Sequence, residues 1–158
     1  MKITLLLIGK TKKSFIAEGI RTYSKRISRY VPFIIIEVSE PKHSGKEPEK
    51  AIKDEEAEKI LKYISPDDYM VILDERGRMI SSEEFAEFIN KKSIDSTRRL
   101  IFVIGGAYGL SNRIYERTND TISLSRMTFS HQLIRIIFLE QLYRAFTIIR
   151  GEPYHHGW

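Results

Sequence analysis

The sequence predicts one α/β domain, a mostly parallel β-sheet covered by helices on both faces. Apolar runs of strand length alternate with segments of helical period along the chain, and the connections between them are short. Hydrophobic residues make up 42% of the 158 positions, an ordinary value that argues against disorder or a fibrous repeat. A chain of this size buries about 70% of its unfolded surface. One well-packed core is therefore expected over 1–158, with no internal repeat or linker to divide it.

The opening MKITLLLIGK has a short apolar run after its lysine and no small-residue cleavage site, so it reads as strand Lys2–Gly9 rather than a secretory leader. No run of about 18 apolar residues predicts a spanning helix. Phe15, Ile16, Ile20, Tyr23 and Ile27 have helical spacing and predict a helix over Ser14–Tyr30. Pro32–Val38 is a second strand, apolar enough to predict burial on both faces. After the Pro41–Pro48 loop, a helix starts near Pro48 and carries Ile52, Ile60, Leu61 and Ile64. Tyr69–Glu75 is the third strand, followed by a turn at ERGRM; Ser81 and Glu84 then form a capping box for the helix bearing Phe85, Phe88 and Ile89. RRLIFVIGG is the fourth strand, Ser111 opens a short helix, TISLSRM is the fifth strand, and a long helix covers His131–Arg150.

Ligands in such sheets bind beyond the carboxyl ends of the strands. Three segments become candidates: LDERG after strand three, GGAYGLS after strand four, and LSRMTFSHQ after strand five. The glycines alone leave the ligand open. A dinucleotide fingerprint would run G-x-G-x-x-G near the first strand, and a phosphate loop would continue into Gly-Lys-Ser/Thr; neither pattern is present. GAYG matches the G-x-x-G of RNA-clamping KH modules but leaves a strand instead of joining two helices. A tight turn needing positive φ, with no ligand, is the plain alternative.

Composition bounds the partners. Lys and Arg exceed Asp and Glu for a net charge of +5, which is compatible with a polyanion, RNA or DNA before a membrane, and equally with solubility alone. Lys10, Lys12, Lys13, Arg21, Lys25, Arg26 and Arg29 concentrate that charge near the N-terminus, as a phosphate-facing surface or a solvated helix face. The chain has no cysteine, so disulfides and thiolate metal sites are excluded and a reducing cytoplasm suits it.

The long helix is apolar all round: Leu133, Ile134, Ile136, Ile137, Phe138, Leu139, Leu142, Phe146, Ile148 and Ile149 cannot all face one sheet. A second protein surface is the natural cover, which predicts a homodimer. Glu140, Arg144 and Thr147 share one face; Glu140 and Arg144 form either a surface pair or a partly buried pair near a site. His131 caps, packs or acts at a site. The tail RGEPYHHGW offers two histidines, Tyr154 and Trp158; it reads as a free terminus or as a lid supplying a proton acceptor and an aromatic face, and too few ligands accompany it for zinc.

Taken in order, VILDERG, FVIGGAYGLS, ISLSRMTFSHQLIRIIFLEQLYRAF and GEPYHH resemble the RlmH family, the small single-domain branch of the SPOUT superfamily of RNA methyltransferases. The likeness covers essentially the whole chain. It implies a deep trefoil α/β knot in the C-terminal half, an obligate homodimer, S-adenosylmethionine as cofactor, and N3 of a pseudouridine in large-subunit ribosomal RNA as the methylated atom. It implies the assembled ribosome as the partner, with no DNA, membrane or metal, and a cytoplasmic location. Position by position, Leu73, Gly105, Leu124, Ser125, Arg126, Met127, Thr128 and Phe129 are the implied cofactor contacts. His155 or His131 is the expected base, Arg144 the group steadying imide charge, and Tyr154 the residue stacking on or hydrogen-bonding the target base. Many relatives place a proline before the histidine where this chain has Ser130, and the ending Gly157–Trp158 also departs from the usual form. The competing readings are a non-catalytic RNA-binding dimer of the same fold and a knotted methyltransferase acting on transfer RNA.

Overall fold

The structure, a computed structural model, describes residues 1–154. Its elements run β1 (Lys2–Ile8), α1 (Ser14–Ile27), β2 (Phe33–Val38), α2 (Glu49–Leu61), β3 (Tyr69–Met79), α3 (Ser82–Ile94), β4 (Arg99–Ile104), α4 (Asn112–Arg117), β5 (Asp120–Ser123) and α5 (Leu133–Arg150). The strands form one five-stranded sheet in the order β2-β1-β4-β3-β5. Every neighbouring pair is parallel.

Alternation along the strands divides the core in two. Ile3, Leu5, Leu7, Leu100, Phe102 and Ile104 point to the face covered by α1, α3 and α5. Phe102 meets Phe138 of α5 at 4.7 Å between ring centroids and Phe85 of α3 at 6.0 Å. Leu6, Ile8, Met70, Ile72, Ile101 and Val103 point the other way, onto Ala57 and Ile60 of α2 and Ile114 of α4. Helices on both faces of a parallel sheet are what the strand–helix alternation predicted.

Local differences have local causes. β2 lies at the sheet edge and is only partly covered, with Ile34 exposed, so its apolar run does not mark a strand buried on both faces. α1 stops at Ile27 instead of reaching Tyr30. β5 ends at Ser123, four residues short of TISLSRM, because serine side chains compete with the ladder. The Ser123 hydroxyl donates to the Ser125 carbonyl at 2.9 Å, and the Met127 N–H donates to Ser125 Oγ at 2.9 Å. β3 does not turn at ERGRM; its pairing with β5 shifts between Leu73 and Arg78 and then resumes. Gly77 permits that excursion, since a Cβ there would lie 2.7 Å from backbone carbons of Thr121 and Ile122. The Ser81–Glu84 capping box of α3 is present as predicted.

Arg135, in the first turn of α5, is fully buried. Its guanidinium donates to the Ile8 carbonyl at 2.6 Å, the Gly9 carbonyl at 3.1 Å, Thr11 Oγ1 at 2.9 Å and the His131 carbonyl at 3.1 Å. These bonds tie the carboxyl end of β1 to the start of α5. Arg135→Met is expected to destabilise the chain by about 3 kcal/mol, because it leaves several buried acceptors without donors. Equilibrium urea unfolding measures this, and a change below about 0.5 kcal/mol would contradict the linkage.

Candidate active site

A cleft of about 570 Å³ opens at the carboxyl ends of β4 and β5 and at the excursion of β3 that follows Leu73, where its pairing with β4 ends. The three segments nominated from the sheet rule converge there: Leu73–Arg76, Ile104–Leu110, and Ser123–Ser125 with Met127–His131 and Ile134. A cavity of this size lies within the usual range for small-molecule sites. Of the residues expected around a cofactor, Leu73, Gly105, Leu124, Ser125, Met127, Thr128 and Phe129 line the cleft. Arg126 is exposed and does not line it.

The glycine segment forms a tight turn. The Gly109 N–H donates to the Gly106 carbonyl at 3.2 Å, and Gly109 has φ +81°, the left-handed region that glycine enters freely. Gly105 and Gly106 are closely approached by side chains. A Cβ on Gly105 would lie 3.0 Å from the Leu110 side chain, and one on Gly106 would lie 2.8 Å from Glu56 Oε1. Leu110 would have to shift to admit a side chain at Gly105, whatever else the cleft receives.

The β3 excursion supplies a polar wall. Asp74 accepts from the Arg76 N–H at 2.9 Å and from Arg76 Nε at 3.1 Å, and it also accepts from the Tyr115 hydroxyl. Burial pushes the Asp74 carboxyl up, but the hydrogen bonds from Tyr115 and Arg76 outweigh it and hold it below the usual carboxylate range. The Arg76 guanidinium stacks 4.8 Å from the Tyr115 ring centre, and Thr128 donates to Glu75 at 3.1 Å, linking β3 to the loop after β5. The cleft wall is therefore a cross-braced set of carboxylates and hydroxyls, with backbone from the glycine turn opposite.

His131 also lines the cleft, two residues before α5 begins. Burial, helped by Arg135 and Lys12, lowers its pKa, so the imidazole is neutral at pH 7. Arg144 and Tyr154 belong to a different cluster. Arg144 donates to Glu140 at 2.6 Å and lies 4.9 Å from the Tyr154 ring centre, and Tyr154 donates to Glu140 at 3.3 Å. Burial, followed by Tyr23 and Glu140, raises the Tyr154 pKa, which keeps the phenol protonated. Neither residue lines the cleft. His155 lies outside the described residues.

Several structural participants carried no sequence signal. Tyr115 braces Asp74 from α4, Glu56 packs under Gly106 from α2, and Arg135 reads in sequence as one more charge on a helix. Among the described residues no group of three or more His, Asp or Glu is placed to hold a metal ion, and no helix is long and apolar enough to cross a membrane. Tyr115→Phe is expected to raise the Asp74 pKa, followed by carboxyl-carbon NMR. Because the folded pKa is depressed, the stability Asp74 contributes is present above the unfolded carboxylate pKa and is lost as pH falls through the folded value; the variant should lose it at higher pH. An unchanged Asp74 titration would contradict the bracing.

Comparison with known proteins shows the family. A family model described as "Predicted SPOUT methyltransferase" matches residues 1–155. The ribosomal RNA large subunit methyltransferase H of Parabacteroides distasonis is 46% identical over 156 residues, covering 99% of both chains. Its counterpart in Porphyromonas gingivalis is 49% identical over the same length and coverage, and that of Carboxydothermus hydrogenoformans is 47% identical over 159 residues. With a full-length family match and relatives far above 30% identity, the chain belongs to the SPOUT methyltransferase family.

Proposed function

We propose that the chain uses S-adenosylmethionine to methylate N3 of a pseudouridine in large-subunit ribosomal RNA on the assembled ribosome, acting as a cytoplasmic homodimer whose C-terminal half carries the family's deep trefoil knot. The observation that carries the reading is the convergence of three strand ends on one cleft. The residues present fit the cofactor. Leu73, Leu124 and Phe129 offer an apolar lining for an adenine, the glycine turn brings backbone close, and Ser125, Thr128 and Glu75 offer polar partners for ribose and amino groups. When bound, the cofactor supplies a methyl group already activated on a sulfonium. The chain must then align the attack and deal with the proton on N3.

His131 suits the second task, because a base has to be neutral to accept a proton and burial keeps this imidazole so. His155 is the alternative base. Arg144 would steady negative charge as it builds on the imide oxygens, and Tyr154 would stack on or hydrogen-bond the base. Since Arg144 and Tyr154 do not line the cleft of their own chain, the reading assigns them to the cleft of the second copy. The incomplete cover of α5 supports that arrangement: Ile134, Ile136, Ile137, Ile148 and Ile149 are only partly covered in the single chain. The exposed Lys10, Lys12, Lys13, Arg21, Lys25, Arg26 and Arg29 would meet phosphates.

Transfer of tritiated methyl to intact ribosomes, free subunits and transfer RNA tests the substrate. Label is expected in large-subunit RNA of intact ribosomes alone; labelled transfer RNA, or none at all, would overturn the reading. Subunit mixing tests the shared site. Arg144→Ala and Gly105→Leu variants, each inactive as a homodimer, are expected to recover activity when their subunits are exchanged, because one of the two clefts is then intact. No recovery after verified exchange would place all the residues in one chain's site.

A further inference from the structure

Glu56 is the unexplained group next to the cleft. It sits on α2 with only 4% of its surface exposed, and its Oε2 is buried with no hydrogen-bond partner. Its carboxyl lies directly behind the glycine turn, where a Cβ on Gly106 would come within 2.8 Å of Oε1 and 3.2 Å of Oε2, and within 3.1 Å of Ile8 Cγ2. Gly106 itself lines the cleft on its other side. A single backbone layer therefore separates a buried acid from the space that would hold the ligand.

The charges around Glu56 come from two elements. Glu40, in the loop after β2, repels its ionised form; on α2, Lys59 favours it and Glu55 opposes it. Lys59 is paired with Glu55 at 3.2 Å and donates to the Ser39 carbonyl at 3.3 Å, so it is not dedicated to Glu56. From the glycine turn and β1 the neighbours are Gly106 and Ile8, which carry no charge. Burial first, then Glu40, raises the Glu56 pKa to about 7. An ionised carboxylate in this place would have to draw in water or a cation, and the thin layer in front of it would move.

We propose that Glu56 is a positioning residue for the cofactor site: its buried carboxyl, packed beneath Gly106, holds the Gly105–Gly109 backbone in the conformation that receives S-adenosylmethionine. The inference rests on the cofactor reading above and adds to it a residue on α2, outside the cleft lining. Glu56 does not line the cleft. It acts through Gly106.

Calorimetric titration of the full chain with S-adenosylmethionine, from roughly pH 6 to pH 8.5, tests it. Wild-type affinity is expected to fall at least about fivefold across that range, the lower end of ordinary coupling between sites. Glu56→Gln, which keeps the shape and cannot ionise, is expected to hold its low-pH affinity throughout. Taking the ratio of wild type to variant removes the titrations of the ligand and of His131, and that ratio is the readout a merely structural role would not move. A ratio independent of pH, or a wild-type profile that is already flat, would overturn the proposal. No binding at any pH would instead overturn the cofactor reading. Gly106→Ala gives a second arm, useful should Glu56→Gln fold poorly: its affinity is expected to be weak and to improve when Glu56→Ala is added, since the added methyl then has room. Equal affinity of the single and double variants would count against the contact.

Discussion

The bonds from Arg135 hold the functional edge of the molecule together. A guanidinium has five donors in a fixed plane and stays charged, so burying it demands several acceptors in fixed places. Here the acceptors are carbonyls at the end of β1, the Thr11 hydroxyl and the His131 carbonyl. The start of α5 cannot slide along β1 without stranding that charge. Gln132 reinforces the join, accepting from the Lys12 N–H at 3.0 Å and donating to the Lys10 carbonyl at 3.2 Å. His131 is thereby anchored at the cleft by its own backbone, independently of what its ring does.

From this fixed edge the cleft is assembled in layers. β3, β4 and β5 deliver their carboxyl ends side by side because they are neighbours in a parallel sheet. The early end of β5, forced by Ser123 and Ser125, frees 124–131 to fold over the cleft as a loop. The β3 excursion, admitted by Gly77, lifts Asp74, Glu75 and Arg76 to form the opposite wall. Under the glycine turn lies Glu56, so the part of the site with fewest side chains of its own rests on one borrowed from α2. The Glu140–Arg144–Tyr154 cluster is built from the later part of α5 and the turn after it, apart from the cleft residues, and a second copy of the chain is what the proposed chemistry requires to join them.

Much of this was legible in sequence, for identifiable reasons. Strand–helix alternation reports the layers, because period 2 and period 3.6 are dictated by which faces are buried. The rule that ligands sit beyond parallel strand ends points to the three segments that line the cleft. Individual partners were less visible. Arg135 and Glu56 carry charges that on a helix ordinarily mark a solvent face, and only tertiary packing makes them interior. Gly105 reads in sequence as a ligand contact, and it does line the cleft; the tight approach of Leu110 to the place its Cβ would take is a second constraint that the sequence does not show. The continuous apolar run of β2 suggested two-sided burial, and sheet order alone made it an edge. The ends of β3 and β5 were misjudged because a bulge and a serine turn are settled by backbone contacts several residues long.

Mapping S-adenosylmethionine onto the chain by amide NMR tests the central claim, that the three strand ends form one cofactor cleft. Shifts on titration are expected at 73–76, 104–110 and 123–131, saturating together with a single affinity. Perturbations confined to the basic face of α1 or to the Pro66–Asn119 end of the sheet, with those three segments unmoved, would contradict it.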